Sequence, residues 1–287
     1  VISEIDVVLI PAPKSCWGVT AFLPSEDAAL SFVQGLRAAE GELRPVAIEF
    51  FNHDALALLR EQKQSNPAFK ELPELKPEWH TAVYVEFHGD SDETVEEAVM
   101  QMTELLVECG GDDDATWLAA DEREMTRLKD FRHAVPEAVN LLIDERRKED
   151  PALTKLGTDL AVPDESLEAV MQRYRDDLQA AGLESVMFGH IGDNHVHVNI
   201  IPRNMQDYQR GKALYLDWAR AIVQMGGTVS AEHGIGKLKI AMLQEMVGDD
   251  GISQMRSLKR VFDPEGLLNP GNLFEWEART TRKANNA

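Results

Sequence analysis

The chain has 287 residues, 44% hydrophobic and 28% charged, which is the composition of a globular protein of one large domain or two small ones. Its 29 Lys and Arg stand against 50 Asp and Glu, and the resulting charge of −21 repels phosphate backbones and excludes nucleic acid as the main partner. Two cysteines without close spacing, Cys16 and Cys109, make neither a disulfide framework nor a zinc ribbon; they fit a reducing compartment and are expected to be inert.

The opening VISEIDVVLIPAPK does not read as a signal peptide, and no apolar run approaches a membrane span. It reads as the start of a piece cut from a longer protein. A strand-like run from about Ser15 ends at Pro24. Ser25 is the expected N-cap of a helix whose apolar stripe is Leu30, Val33 and Leu36. VAIEFF (Val46 to Phe51) predicts a strand, HDALALLREQK a short helix, and Pro67, Pro73 and Pro77 an exposed connection. HTAVYVEFHG (His80 to Gly89) alternates as a strand. DETVEEAVMQMTELLVEC predicts a helix with acidic residues in its first turn, and ATWLAA another strand. Two helical stretches follow, Asp121 to Phe131 and Pro136 to Lys148.

Then the order repeats. TDLAVP (Thr158 to Pro163) predicts a strand, and DESLEAVMQRYRDDLQAAG a helix stopped by Gly182. ESVMFGH and HVHVNIIP predict two strands around a tight turn, Asn204 to Gln224 a long helix, and GGTVSAEH a last strand. The order β-α-β-β-α-β, given twice with one helix inserted in the first copy, predicts an α+β fold. Its form is a duplicated ferredoxin-like (split βαβ) antiparallel sheet, with helices mainly on one face and halves at about 15–120 and 155–235.

Three of the eight histidines fall within FGHIGDNHVHVN, Phe188 to Asn199. As a strand, His195 to Ile201 turns His195, His197 and Asn199 to one side and Val196, Val198 and Ile200 to the other. Gly192-Asp193-Asn194 is turn chemistry, which returns His190 towards the histidine face. This pattern serves either a solvent-facing hairpin or a transition-metal site, histidine being the commonest ligand. In SAEHGIGK, Glu232 and His233 precede Gly234 and Gly236. That is either a strand-to-helix turn needing glycine or the carboxylate that completes a site with His190 and His197. Two histidines and one carboxylate leave a position open for substrate, as in catalytic zinc or non-haem iron centres. His233 is expected to point the other way unless the turn begins at Glu232. The remaining histidines, His53, His80, His88 and His133, read as surface or structural, and Trp17 and Trp117 as core aromatics.

GHIGDNHVHVN, SAEHGIG and the closing DPEGLLNPG together resemble the C-terminal domain of FAD-linked oxidases. The subgroup is the flavin-dependent D-2-hydroxy-acid dehydrogenases: D-lactate dehydrogenase, the glycolate oxidase flavin subunit and D-2-hydroxyglutarate dehydrogenase. The resemblance covers essentially the whole chain and implies FAD, bound mainly by an N-terminal domain that this chain lacks and that its tail, 255–287, would contact. It implies His190, His197 and Glu232 as ligands of a divalent metal, zinc being the first choice. It makes His233 the proton acceptor, Arg132 and Asn199 substrate contacts, and His233, Gly234, Asn269 and Gly271 neighbours of the flavin. Lys155 is the nearest match to a substrate lysine that is displaced here. The family's Gly-Asn is Asn194-His195 in this chain, so His195 is a ligand or, in the preferred reading, a neighbour. Asn272 stands where the family often has lysine.

The implied reaction is oxidation of a D-2-hydroxy acid to the 2-oxo acid, with an acceptor protein or quinone as electron partner. A homodimer is left open. The implied place is cytoplasmic, with the inner membrane face as alternative. Rival readings are a metal-dependent hydrolase, a non-catalytic metal-binding module, and a metal-free oxidase of phenolic substrates.

Overall fold

The computed structural model describes residues 2, 4–41 and 44–276. The chain divides into two compact units: 1–145 with 186–193, and 146–185 with 194–287.

The first unit holds β1 (Ser15–Leu23), α1 (Glu26–Ala38), β2 (Ala47–Phe51), α2 (His53–Ser65), β3 (Thr81–Gly89), α3 (Asp92–Glu108), β4 (Thr116–Ala119) and most of α4 (Glu122–Arg146). The strand order is β4-β1-β3-β2, every pair antiparallel, which is the order of a β-α-β-β-α-β unit. A further strand, β6 (Ser185–His190), joins β2 antiparallel through Phe50 and Phe51. Caps start the helices where small polar residues predict them. Ser25 Oγ accepts from the Ala28 amide at 3.1 Å and Asn52 Oδ1 from the Ala55 amide at 3.0 Å. Phe22 stacks on Trp79 with ring centroids 3.8 Å apart, and Phe51 meets Phe131.

The two helical stretches predicted between 121 and 148 are one helix, α4. Pro136 lacks the amide that would bond the Arg132 carbonyl, and its ring crowds that group. The helix continues because Phe131, Val135, Ala138 and Val139 form a buried stripe whose packing outweighs the lost bond.

Asn52 also accepts from the buried Met187 amide at 3.0 Å, tying β6 to the start of α2. Asn52→Ala removes a cap and strands a buried donor, so we expect a loss of about 2–4 kcal/mol in urea unfolding. A loss below about 1 kcal/mol would mean that another group satisfies Met187.

The second unit contains β5 (Leu156–Gly157), α5 (Leu167–Ala181), β7 (His195–Ile200), α6 (Met205–Gln224) and α7 (Ile240–Phe262). Gly182 ends α5 in the left-handed region, φ 61°, which glycine adopts without a Cβ penalty. Asn204 caps α6. Trp218 packs edge-on against Tyr174 at 4.7 Å and donates its Nε1 proton to Asp177. α7, broken at Gly248, packs on α6; sequence periodicity had not marked it.

Two predicted strands are not formed here. TDLAVP contributes only the isolated bridge Ala161–Thr228, with β5 lying just before it and pairing antiparallel with β7. GGTVSAEH leaves the extended pattern after Thr228. Past the bridge the Ala231 amide still meets the Asp159 backbone carbonyl at 3.0 Å, and the Glu232 and His233 amides then turn to the Asp159 carboxylate. The α+β class and the antiparallel sheet hold.

Candidate functional site

In the second unit, β7 carries His195 and His197 on one face, their rings edge-to-face at 4.3 Å. That face is not solvated: His195 is 4% exposed and Asn199 4% exposed. Nδ1 of His197 lies 2.8 Å from the Thr158 carbonyl. A carbonyl can only accept, so Nδ1 carries a proton and Nε2 is the ring nitrogen turned to the site. That Nε2 faces Oε1 of Glu232 at 3.3 Å. His233 Nε2 is 2.8 Å from the same oxygen, and its ring stands 5.5 Å from that of His197. The chain has left the extended pattern before Glu232, and His233 lies beside the site rather than pointing away.

Asp159 builds the loop that presents these groups. Its carboxylate accepts from the Ser230 hydroxyl at 2.7 Å, from the amides of Ala231, Glu232 and His233 at 3.0 to 3.2 Å, and from the Lys239 ammonium. His195 Nε2 lies 3.2 Å from it. Burial alone would raise the Asp159 pKa, but the bonds from Lys239, Ser230 and the Glu232 amide outweigh burial and hold it well below the usual carboxylate range. The loop also meets the closing turn. Leu273 donates its amide proton to the Gly236 carbonyl at 2.9 Å, so the glycine loop and the Asn269–Gly271 turn are hydrogen-bonded neighbours. Asn269 adopts a positive φ of 43° and Gly271 one of 80°.

In the first unit, His190 ends β6 with Nδ1 2.9 Å from Oε1 of Glu49. The carboxylate accepts, so Nδ1–H is the donor of this pair. Arg132, on α4, donates Nη2 to that same oxygen and lies over the Tyr84 ring at 4.8 Å. Lys155, in the second unit, is half-buried, and burial lowers its pKa.

The ligand atoms of His195, His197 and Glu232 come within 4.8 Å of one another, a nitrogen-and-carboxylate donor set that fits a zinc-like ion. Asn199 is enclosed, its amide oxygen against Gly157. The other histidines behave as structural groups. His53 stacks on His80, and His88 pairs with Glu86 at 2.8 Å, while His133 is exposed. Trp17 and Trp117 are half-buried rather than core; Trp117 packs edge-on to Phe22 and Phe131. Burial pushes both cysteine thiols up, which keeps them protonated and unreactive at neutral pH.

Sequence reasoning missed Asp159, Lys239, Glu49 and Tyr84. The signal was present for two of them. A lone acid inside VAIEFF or TDLAVP is costly to bury unless partners wait for it.

Sheet order, capped helices and a loop that sets a carboxylate between two histidines define the class: an antiparallel α+β domain bearing a histidine–carboxylate centre. The chain belongs to the family described as FAD linked oxidases, C-terminal domain, whose model matches residues 13–273. It is similar to a probable mitochondrial D-lactate dehydrogenase of Danio rerio, 31% identical over 99% of this chain and 53% of that protein. It is also similar to the glycolate oxidase subunit GlcD of Bacillus subtilis (strain 168), 25% identical over 97% of this chain and 55% of that one. The chain thus spans about half the length of these relatives. Among solved structures it shares the fold of a 4-ethylphenol oxidase from Gulosibacter chungangensis, with a TM-score of 0.62, 16% identity, and coverage of 93% of this chain and 55% of that one. No helix among the described residues is long and apolar enough to cross a membrane.

Proposed function

We propose that this chain is the substrate- and metal-binding part of a flavin-dependent oxidoreductase that oxidises a D-2-hydroxy acid, D-lactate or a relative, to the 2-oxo acid. The observation that carries the reading is the way the two ligand histidines are held. Each commits Nδ1 to an oxygen, His190 to Glu49 and His197 to Thr158, leaving Nε2 as donor. With Glu232 they would hold a divalent ion, zinc as first choice. His195, next to Asp159, is read as a neighbour rather than a ligand.

Such an ion would lower the pKa of the substrate hydroxyl. His233, 63% exposed at the side chain, takes the hydroxyl proton at its imidazole. Arg132 holds the substrate carboxylate with the N–H groups it does not spend on Glu49. Asn199 contacts the substrate, with Lys155 as a further contact. Flavin, bound mainly by a separate domain, would accept the hydride. His233, Gly234, Asn269 and Gly271 face it from this chain, a grouping supported by the bond between their two segments. Residues 277–287 of the tail expected against that domain lie outside the described residues. The electron partner is an acceptor protein or quinone. The same reading takes the second β-α-β-β-α-β passage as a reduced copy of the first, with the Ala161–Thr228 bridge in place of the outer strand pair.

The test is turnover by the full-length flavoprotein with an artificial electron acceptor on D-lactate, L-lactate, glycolate and D-2-hydroxyglutarate. Oxidation of one or more of these acids, with the D form of lactate preferred, is expected. Absence of turnover on all four by a flavin-loaded protein would refute the reading. This chain alone is expected to fold and to stay silent on the same substrates, since in this reading the hydride acceptor is flavin held mainly by a separate domain; turnover by the isolated chain would contradict the division of labour.

A further inference from the structure

Glu49 is a charged residue between Ile48 and Phe50 in the middle of β2, with its side chain 8% exposed. Its single oxygen Oε1 accepts from both Arg132 on α4 and His190 on β6. Across the strand pair it stands opposite Tyr84, whose ring lies under the Arg132 guanidinium and whose hydroxyl donates to Glu86. Three elements of the first unit therefore meet at one carboxylate. Stability does not explain the choice, because a buried ion pair can be replaced by packed apolar residues at little or no cost. An apolar residue at 49 would leave Arg132 without its anchor and His190 free to exchange tautomers.

We propose that Glu49 is a positioning residue of the reaction. It anchors Arg132 through Nη2, so that the remaining edge of the guanidinium is presented to an anionic ligand at a fixed place. It also accepts the hydrogen bond from Nδ1–H of His190, which fixes the ring so that Nε2 is the nitrogen offered to a metal. The inference rests on the reading above, in which Arg132 meets the substrate carboxylate and His190 meets the metal.

The test uses the full-length flavoprotein and the variants Glu49→Ala, Glu49→Gln, Arg132→Lys and the Glu49→Gln/Arg132→Lys pair. KM and kcat for the 2-hydroxy acid, zinc affinity of the metal-stripped protein, flavin content and thermal midpoint are measured for each. Glu49→Ala is expected to raise KM about tenfold or more and to weaken zinc binding about 10- to 100-fold, with flavin content retained. Glu49→Gln should recover most of both, since its amide oxygen can accept the same two protons. Wild-type KM and zinc affinity in Glu49→Ala would overturn the proposal. Losses per folded molecule that vanish after correction for the unfolded fraction would do so too. If Glu49→Ala does not fold, the double-mutant cycle decides: the effects of Glu49→Gln and Arg132→Lys on KM must be non-additive, and additivity overturns the Arg132 role. A wild type that binds no zinc overturns the His190 role. A wild type that oxidises no 2-hydroxy acid refutes the functional reading, while the zinc comparison still decides whether Glu49 orients His190.

Discussion

Asp159→Ala is expected to be the most destabilising single change in the second unit, costing about 3–5 kcal/mol in urea unfolding. The residue is 2% exposed, and loss of its carboxylate strands the Lys239 ammonium, the Glu232 and His233 amides and the Ser230 hydroxyl at once. Asp159→Asn keeps the shape and one oxygen acceptor but loses the charge opposite Lys239, so its loss should be smaller yet still above about 1 kcal/mol. The pH dependence follows from the sign of the shift. The folded pKa is depressed, so the stabilisation is fully present above the unfolded value near pH 4 and is lost as pH falls from there towards the folded value. Asp159→Asn should therefore flatten the acid limb of a stability–pH curve below about pH 4 and leave its slope unchanged between about pH 6 and 8. An acid limb identical to wild type would show that Asp159 does not carry this linkage.

The largest effect on chemistry is expected at His197 and Glu232. His197→Ala and Glu232→Gln should each lower kcat/KM by about 10²- to 10⁴-fold and abolish tight zinc binding. His195→Ala should leave zinc affinity near wild type, because His195 stands against Asp159. The measurement is a zinc titration with elemental analysis alongside steady-state kinetics. Equal affinity in wild type, His197→Ala and Glu232→Gln would remove both residues from the ligand set. A selective loss in His195→Ala would instead make His195 the ligand.

The sequence by itself determined the local rules of this protein. Ser25 and Gly182 mark helix ends because capping and left-handed φ are properties of one residue and its neighbours. Alternation in HVHVNI put His195 and His197 on one face because the strand period is two. The first β-α-β-β-α-β order was legible for the same reason, since each element carries its own hydrophobic period. What only the tertiary structure decided are the pairings between distant segments. Nothing within SAEHGIG says that the amides of Glu232 and His233 would turn to the carboxylate of Asp159, 73 and 74 residues earlier. In the fold the two expected strands are a bridge and a loop, and His233 Nε2 comes to 2.8 Å from Glu232. In the same way, Pro136 predicts a break, yet the buried stripe on α4 carries the helix through. Long-range burial outweighs local preference because a buried carboxylate must find its donors wherever the fold supplies them.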